Sequence, residues 1–176
     1  EERNPENKSR KAAEKAANLI MRNAPEGDCF WPTPLDHDGK PSPRQAPSLY
    51  EDMFAAEGLA QFAHATGERK YRALAKATVL KCLRRYDSPD YDYSATYGLD
   101  IEALKAPRIL GHWMVFLNTA SDLLRIEEDE ELLAVCDRAV EALLTEHLNP
   151  RFDLMNEVVY HDGTRPEGAF GQFSYT

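Results

Sequence analysis

Two short runs hold the residues of this chain best suited to chemistry: Tyr50-Glu51-Asp52 and Gly111-His112-Trp113. They lie 61 residues apart, so Glu51 and His112 are positional equivalents. A carboxylate, an imidazole and two aromatic rings converging on one opening are equipped to bind a polyol and move protons, since imidazole titrates close to neutral pH. Each residue also has a plainer role open to it. Glu51 and Asp52 complement the positive end of a helix. His112 fits as a hydrogen-bonded core histidine and Trp113 as core packing rather than a sugar platform. Tyr50 divides evenly, because a phenol at a helix start keeps its hydroxyl available. In the loops, Phe30 and Trp31 either pack under a hairpin or flank a cleft. Tyr91, Tyr93 and Tyr97, with Asp90 and Asp92, form either a carbohydrate-contacting loop or a hydrogen-bonded surface one. His37 and His161 are expected in exposed turns, and His64 and His147 near helix C-termini, where a cation is welcome.

The elements that must position these residues follow the same offset. Moving Tyr50–Pro89 forward by 61 places it on Gly111–Pro150, with Met53 on Met114, Val79 on Val140 and Leu83 on Leu144. Ala12, Lys15, Ala16 and Leu19 precede Ala73, Lys76, Ala77 and Leu80 by the same interval. Fixed-period self-similarity marks repeat units that bury their apolar faces against one another. Apolar periodicity predicts five helices. The first runs from about Lys8 to Arg22, with Ala12, Ala13, Ala16, Leu19 and Ile20 on its apolar side. The second runs from Ser48 as N-cap to Ala65, with Gly67 as the stop. The third runs from Glu68 to Tyr86 with a basic solvent face. The fourth runs from Pro107, favoured at a first helical position, to Ile126 and is apolar nearly all round. The fifth runs from Asp129 to His147 with a stripe of Leu132, Leu133, Cys136, Val140, Leu143 and Leu144. Helices two and four therefore read as inner, and one, three and five as outer. Long connections (Asn23 to Pro47, Asp87 to Ala106, Leu148 to Gly171) precede each inner helix and should gather at one end, two of them carrying Asp-Gly hairpin turns, Leu35–Lys40 and Val158–Thr164. The fold class expected is all-α, an (α/α) toroid forming part of an (α/α)6 barrel. Residues 1–176 make one partial domain that continues beyond both ends.

Composition narrows the partners. A net charge of −9 with acidic residues spread along the chain argues against nucleic acid, whose phosphates reward dense Lys/Arg patches. The one basic cluster, Lys81, Arg84 and Arg85, reads as complementing a helix C-terminus. No run reaches the roughly 20 apolar residues of a membrane span, and no signal peptide is visible. Three cysteines, Cys29, Cys82 and Cys136, make neither a metal pair nor a disulfide framework, so a cytoplasmic setting is expected. Neither metal nor nucleotide motifs occur, and no cofactor is expected.

Several segments together resemble the N-acylglucosamine 2-epimerase family. They are Phe30-Trp31 with Leu35-Asp36-His37-Asp38-Gly39-Lys40-Pro41; Leu49-Tyr50-Glu51-Asp52-Met53-Phe54-Ala55-Ala56-Glu57-Gly58-Leu59-Ala60; Ala65-Thr66-Gly67-Glu68 with Tyr71; Arg108-Ile109-Leu110-Gly111-His112-Trp113-Met114; and Leu154-Met155-Asn156-Glu157-Val158-Val159 with Asp162-Gly163. The resemblance covers most of the chain from about residue 10. It implies an (α/α)6 barrel of sugar epimerases and aldose-ketose isomerases. In that chemistry the sugar ring opens, and histidine general acid/base catalysis moves a proton next to the carbonyl, at C2, without a redox cofactor. It implies a small-molecule sugar as partner, with a homodimer as a further expectation. Tyr50 matches a sugar-contacting tyrosine of the cellobiose-epimerase branch, and Trp113 and Glu157 join it as substrate-binding candidates. His112 and Glu51 are the catalytic candidates. That branch carries a histidine one place after the methionine, where this chain has Val115, so His112 departs from the pattern. Phe173-Ser174-Tyr175-Thr176 resembles the lead-in to a Gly-His-x-x-Glu motif, so the family's main catalytic histidines are expected beyond Thr176. The residues alone leave two alternatives: a glycoside hydrolase using Glu51 or Asp52 as one of two carboxylates, and a non-catalytic toroid that binds a sugar or protein.

Overall fold

The computed structural model of the chain describes residues 5–32, 35–41, 48–91, 93 and 107–167. It is mostly helical, with five helices: α1 (Pro5–Arg22), α2 (Leu49–Thr66), α3 (Arg69–Asp87), α4 (Leu110–Leu124) and α5 (Glu130–Ala142). A π-helical turn, Leu143–His147, extends α5. Strand β1 (Pro107–Ile109) pairs antiparallel with β4 (Val158–Tyr160), and β2 (Leu148–Asn149) pairs with β3 (Leu154–Met155).

Local chemistry sets the helix ends. The amide of Ser48 donates to the Glu51 carboxylate at 3.1 Å, closing the first turn of α2. Gly67, with φ of 73°, stops α2 in the left-handed conformation that a side chain resists, and its amide donates to Ala63. The Asp129 carboxylate accepts from the amides of Glu131 and Leu132, starting α5.

Repeat equivalents stand side by side. Asn118 of α4 donates to Glu57 of α2 at 3.0 Å, and Gln61 of α2 donates to Asp122 of α4; each pair is 61 residues apart. The two inner helices are thus in contact with the sequence offset as their register. The outer helices share a second interval. Tyr71 of α3 donates to Asn18 of α1, and Lys76 of α3 to Asp129 of α5, both across 53 residues. The core lies between the layers, with Met53, Ala56, Leu59, Trp113, Phe116 and Leu123 from the inner helices and Tyr71, Val79, Cys82, Leu132 and Ala139 from the outer ones.

Tertiary packing revises several expectations. Pro107 does not begin a helix; it opens β1, and α4 starts at Leu110. Val158–Thr164 does form its Asp-Gly turn, with Gly163 donating to Tyr160, but the strand before the turn pairs with β1. Among the described side chains of α1 only Ala17 is buried, while Ala12, Ala13 and Ala16 are exposed. Phe54 on α2 and Met114 on α4 are more than half exposed, so the inner helices keep one open side. The buried stripe of α5 is Leu132, Val135, Ala139 and Ala142, leaving Leu133, Val140 and Leu144 outside.

The largest departure concerns the basic cluster. Lys81 and Arg85 do not face solvent at a helix end. Both reach Asp52, each at 2.9 Å, and the Trp31 amide donates to the same carboxylate at 2.7 Å. Asp52 is fully buried, so removing it strands two cations in a region of low dielectric. Asp52→Ala is expected to destabilise the fold by about 3–5 kcal/mol, measured by urea unfolding; a loss below about 1 kcal/mol would show the cluster to be peripheral.

Candidate functional site

β1 and β4 bring the second half of the described chain to the start of α4. Ile109 pairs with Val158, and the Leu110 amide donates to the Glu157 carbonyl at 2.8 Å. Two residues further on, His112 enters a ring of tyrosines. Its centroid lies 4.5 Å from Tyr50, 4.8 Å from Tyr93, 5.8 Å from Tyr86 and 5.9 Å from Tyr91. Tyr50 and Tyr93 meet edge to face at 5.5 Å and are half-buried, so they form the rim with His112 behind them. Tyr50 can lie across α4 because residue 111 is glycine: a Cβ there would collide with the Tyr50 hydroxyl. Residues 50 and 111 are themselves repeat equivalents.

Burial governs the electrostatics. His112 is wholly buried, and among the described residues neither ring nitrogen meets a hydrogen-bonding partner. Its value is pushed down to about 3 by burial, then by the charge of Arg108 and the proximity of His147, so the imidazole is neutral at pH 7. Burial raises Tyr50 and Tyr93 above the usual phenol range. Glu157 acts on both in the same direction, and Glu51 on Tyr93. The rim is therefore weakly acidic. Arg108 is buried below it, donating to the Ser88 carbonyl at 2.7 Å, 2.7 Å from His161 Nδ1, with its guanidinium 5.0 Å from the Tyr86 ring centroid.

The residues anticipated from sequence divide between site and scaffold. Tyr50, Glu51, Glu157 and His112 come together. Within that group Glu51 is tied to Ser48 in the first turn of α2, as its plainer reading had it. Asp52 points away, into the ion cluster, rather than toward the opening. Trp113 is 1 % exposed and packs edge-on to Tyr86 at 4.8 Å, so it braces the site from behind instead of offering a sugar platform. Trp31 is buried and Phe30 lies 3.7 Å under the Arg85 guanidinium, which places both in the scaffold. Tyr97 and Asp92 fall outside the described residues.

Three contributors were not legible in advance. Arg108 gave no signal beyond lying next to α4. Tyr86, read as the end of an outer helix, faces inward to His112. His147 is not a solvated cation at a helix end but fully buried, with burial lowering its value. Among the described residues no group of three His, Cys, Asp or Glu side chains is disposed to hold a metal ion, and no helix is long and apolar enough to cross a membrane. No protein-family model and no curated protein matches the chain.

Two outcomes follow from this geometry. His112 holds its proton less well folded than unfolded, so stability present above pH 6.5 is lost as pH falls toward about 3. His147 adds in the same sense. Between pH 6.5 and 5 the unfolding free energy should decline, and His112→Gln should remove up to about 1.4 kcal/mol per pH unit of that slope, read by urea titrations at each pH. Gly111→Ala should drive Tyr50 off the imidazole at a cost of about 1–3 kcal/mol. A gain approaching 1 kcal/mol from helix propensity alone, read as a higher melting temperature, would show that Tyr50 does not occupy this space.

Proposed function

We propose that the chain forms part of a carbohydrate epimerase or isomerase similar to the N-acylglucosamine 2-epimerases, acting at C2 of an uncharged, open-chain reducing sugar. The observation that carries the reading is the Tyr50–Tyr93 rim over His112, flanked by Glu51 and Glu157, at the start of paired inner helices. Phenol rings and carboxylates together suit a neutral polyol, offering stacking faces and hydrogen-bond acceptors to its hydroxyls.

Within this reading His112 is a positioning residue. An imidazole held at about 3 is a weak base at pH 7, and it sits behind the tyrosines rather than at the rim. It holds Tyr50 in place, and Tyr50 with Glu157 contacts the sugar. Proton transfer at C2 is assigned to histidines at the starts of later inner helices, as the family resemblance implies. A glycoside hydrolase would need two free carboxylates across a cleft. The candidates for one of them here, Glu51 and Asp52, are engaged by Ser48 and by Lys81 with Arg85 respectively.

The full gene product incubated with D-glucose, D-mannose and N-acetyl-D-glucosamine in heavy water should introduce deuterium at C2, followed by proton NMR. Tyr50→Phe should slow that uptake roughly five- to tenfold, the cost of one hydroxyl hydrogen bond. Release of reducing ends from a glycoside panel without C2 exchange would favour the hydrolase instead. Sugar binding with neither reaction would leave a non-catalytic toroid.

A further inference from the structure

His147 takes no part in the reading above, yet it is held more tightly than a packing residue requires. It ends the π-helical turn Leu143–His147, and such turns are rare and concentrate at functional sites. Its Nδ1 lies 2.8 Å from the Asn156 carbonyl, and the Asn156 amide donates back to the His147 carbonyl at 2.7 Å. Arg165 clamps the same region, donating to the Asn156 side chain at 3.1 Å and to the Leu148 carbonyl at 2.7 Å. A carbonyl only accepts, so Nδ1 carries the proton and Nε2 is a lone pair. That lone pair is fully buried and, among the described residues, without a donor.

The backbone carries this lone pair toward His112. Asn156 bonds to His147, the next residue, Glu157, accepts from Leu110, and His112 follows one half-turn on. The π-helical turn also packs against α4 and β4. Two neighbouring buried imidazoles thus present three nitrogens that lack partners among the described residues. Buried polar atoms in folded proteins are nearly always paired, with protein or with ordered water, because an unmade bond costs the whole desolvation of the group. Tyr91, with its hydroxyl also buried and unpaired among the described residues, lies 5.9 Å from His112 between ring centroids.

The geometry points to a buried binding site for a hydroxyl donor, water or one hydroxyl of a polyol, that gives its proton to His147 Nε2 and joins His147 to His112. One hydroxyl donates to His147 Nε2 and accepts the N–H of His112, so it meets one nitrogen of each ring without charging either. This site does not depend on the sugar reading: resident water occupies it whatever the protein acts on. His147 would then be the residue through which the outer hairpin at β2–β3 is linked to the tyrosine ring.

The test is long-range ¹H–¹⁵N NMR on the histidine-labelled protein, in buffer and at saturating D-mannitol, an unreactive polyol. His147 is expected as the Nδ1–H tautomer, neutral at pH 7 because burial lowers its value, with Nε2 at the shift of a hydrogen-bonded acceptor. A further Nε2 shift on adding mannitol identifies the polyol hydroxyl as donor; an unchanged one identifies water. An Nε2–H tautomer, or titration near 6.5, overturns the site. His147→Asn supplies the second arm, since the amide keeps the donor to Asn156 but removes the Nε2 lone pair. It should leave the melting temperature within a few degrees and move the His112 nitrogen signals. Unmoved His112 signals in a folded variant would break the proposed link.

Discussion

The carboxylate of Asp52 joins three separate parts of the chain at one buried point. It belongs to the first turn of α2, yet it binds Lys81 and Arg85 from the last turns of α3 and the Trp31 amide from the long connection before α2. Two cations and one amide donor engage both oxygens of the carboxylate, which is what makes the burial tolerable. Lys81 also donates to the Cys29 carbonyl at 2.9 Å, and Arg85 lies over Phe30, so the connection is pinned twice more. Burial raises the Cys82 thiol to about 12, with the Asp52 carboxylate adding to it against the opposing charges of Lys81 and Arg85, which leaves it inert. With α3 locked by its end to the start of α2, Tyr86 is brought within reach of His112 from the outer layer.

A second constraint acts across the inner layer. Because α2 and α4 stand in the register of the repeat, their first turns lie at the same height. Tyr50 therefore meets residue 111, and only a glycine there lets the ring lie flat enough to reach His112. The site is in this sense a consequence of the repeat. One copy supplies the tyrosine and the other supplies the space and the imidazole. The difference between equivalent positions, not their similarity, is what makes chemistry available.

Much of this scaffold was legible beforehand. The offset, the cap at Ser48 and the stop at Gly67 hold in the structure. Of the residues read as sharing one opening, Tyr50 lies against His112, whereas Asp52 turns into the ion cluster and Trp113 packs in the core. Of the stripe expected on α5, Leu132, Cys136 and Leu143 pack on the core while Leu133, Val140 and Leu144 are exposed, since apolar spacing there fits two overlapping faces. Pro107 failed because the same residue suits a helix start and a strand start, and the strand depends on β4 fifty residues away.

The sequence by itself determined what neighbours along the chain can decide: helix lengths, helix ends, Asp-Gly turns and the period that pairs Glu51 with His112. These rest on interactions within a few residues and on a repeated apolar rhythm. Only the tertiary structure decided which charges are buried and which histidines are neutral. Asp52 and Lys81 read as ordinary helix-end charges until they are seen 2.9 Å apart, and His147 reads as a solvated cation until Asn156 and Arg165 close over it. Desolvation is a property of the surroundings in three dimensions, and a residue's type and sequence neighbours carry almost no record of it.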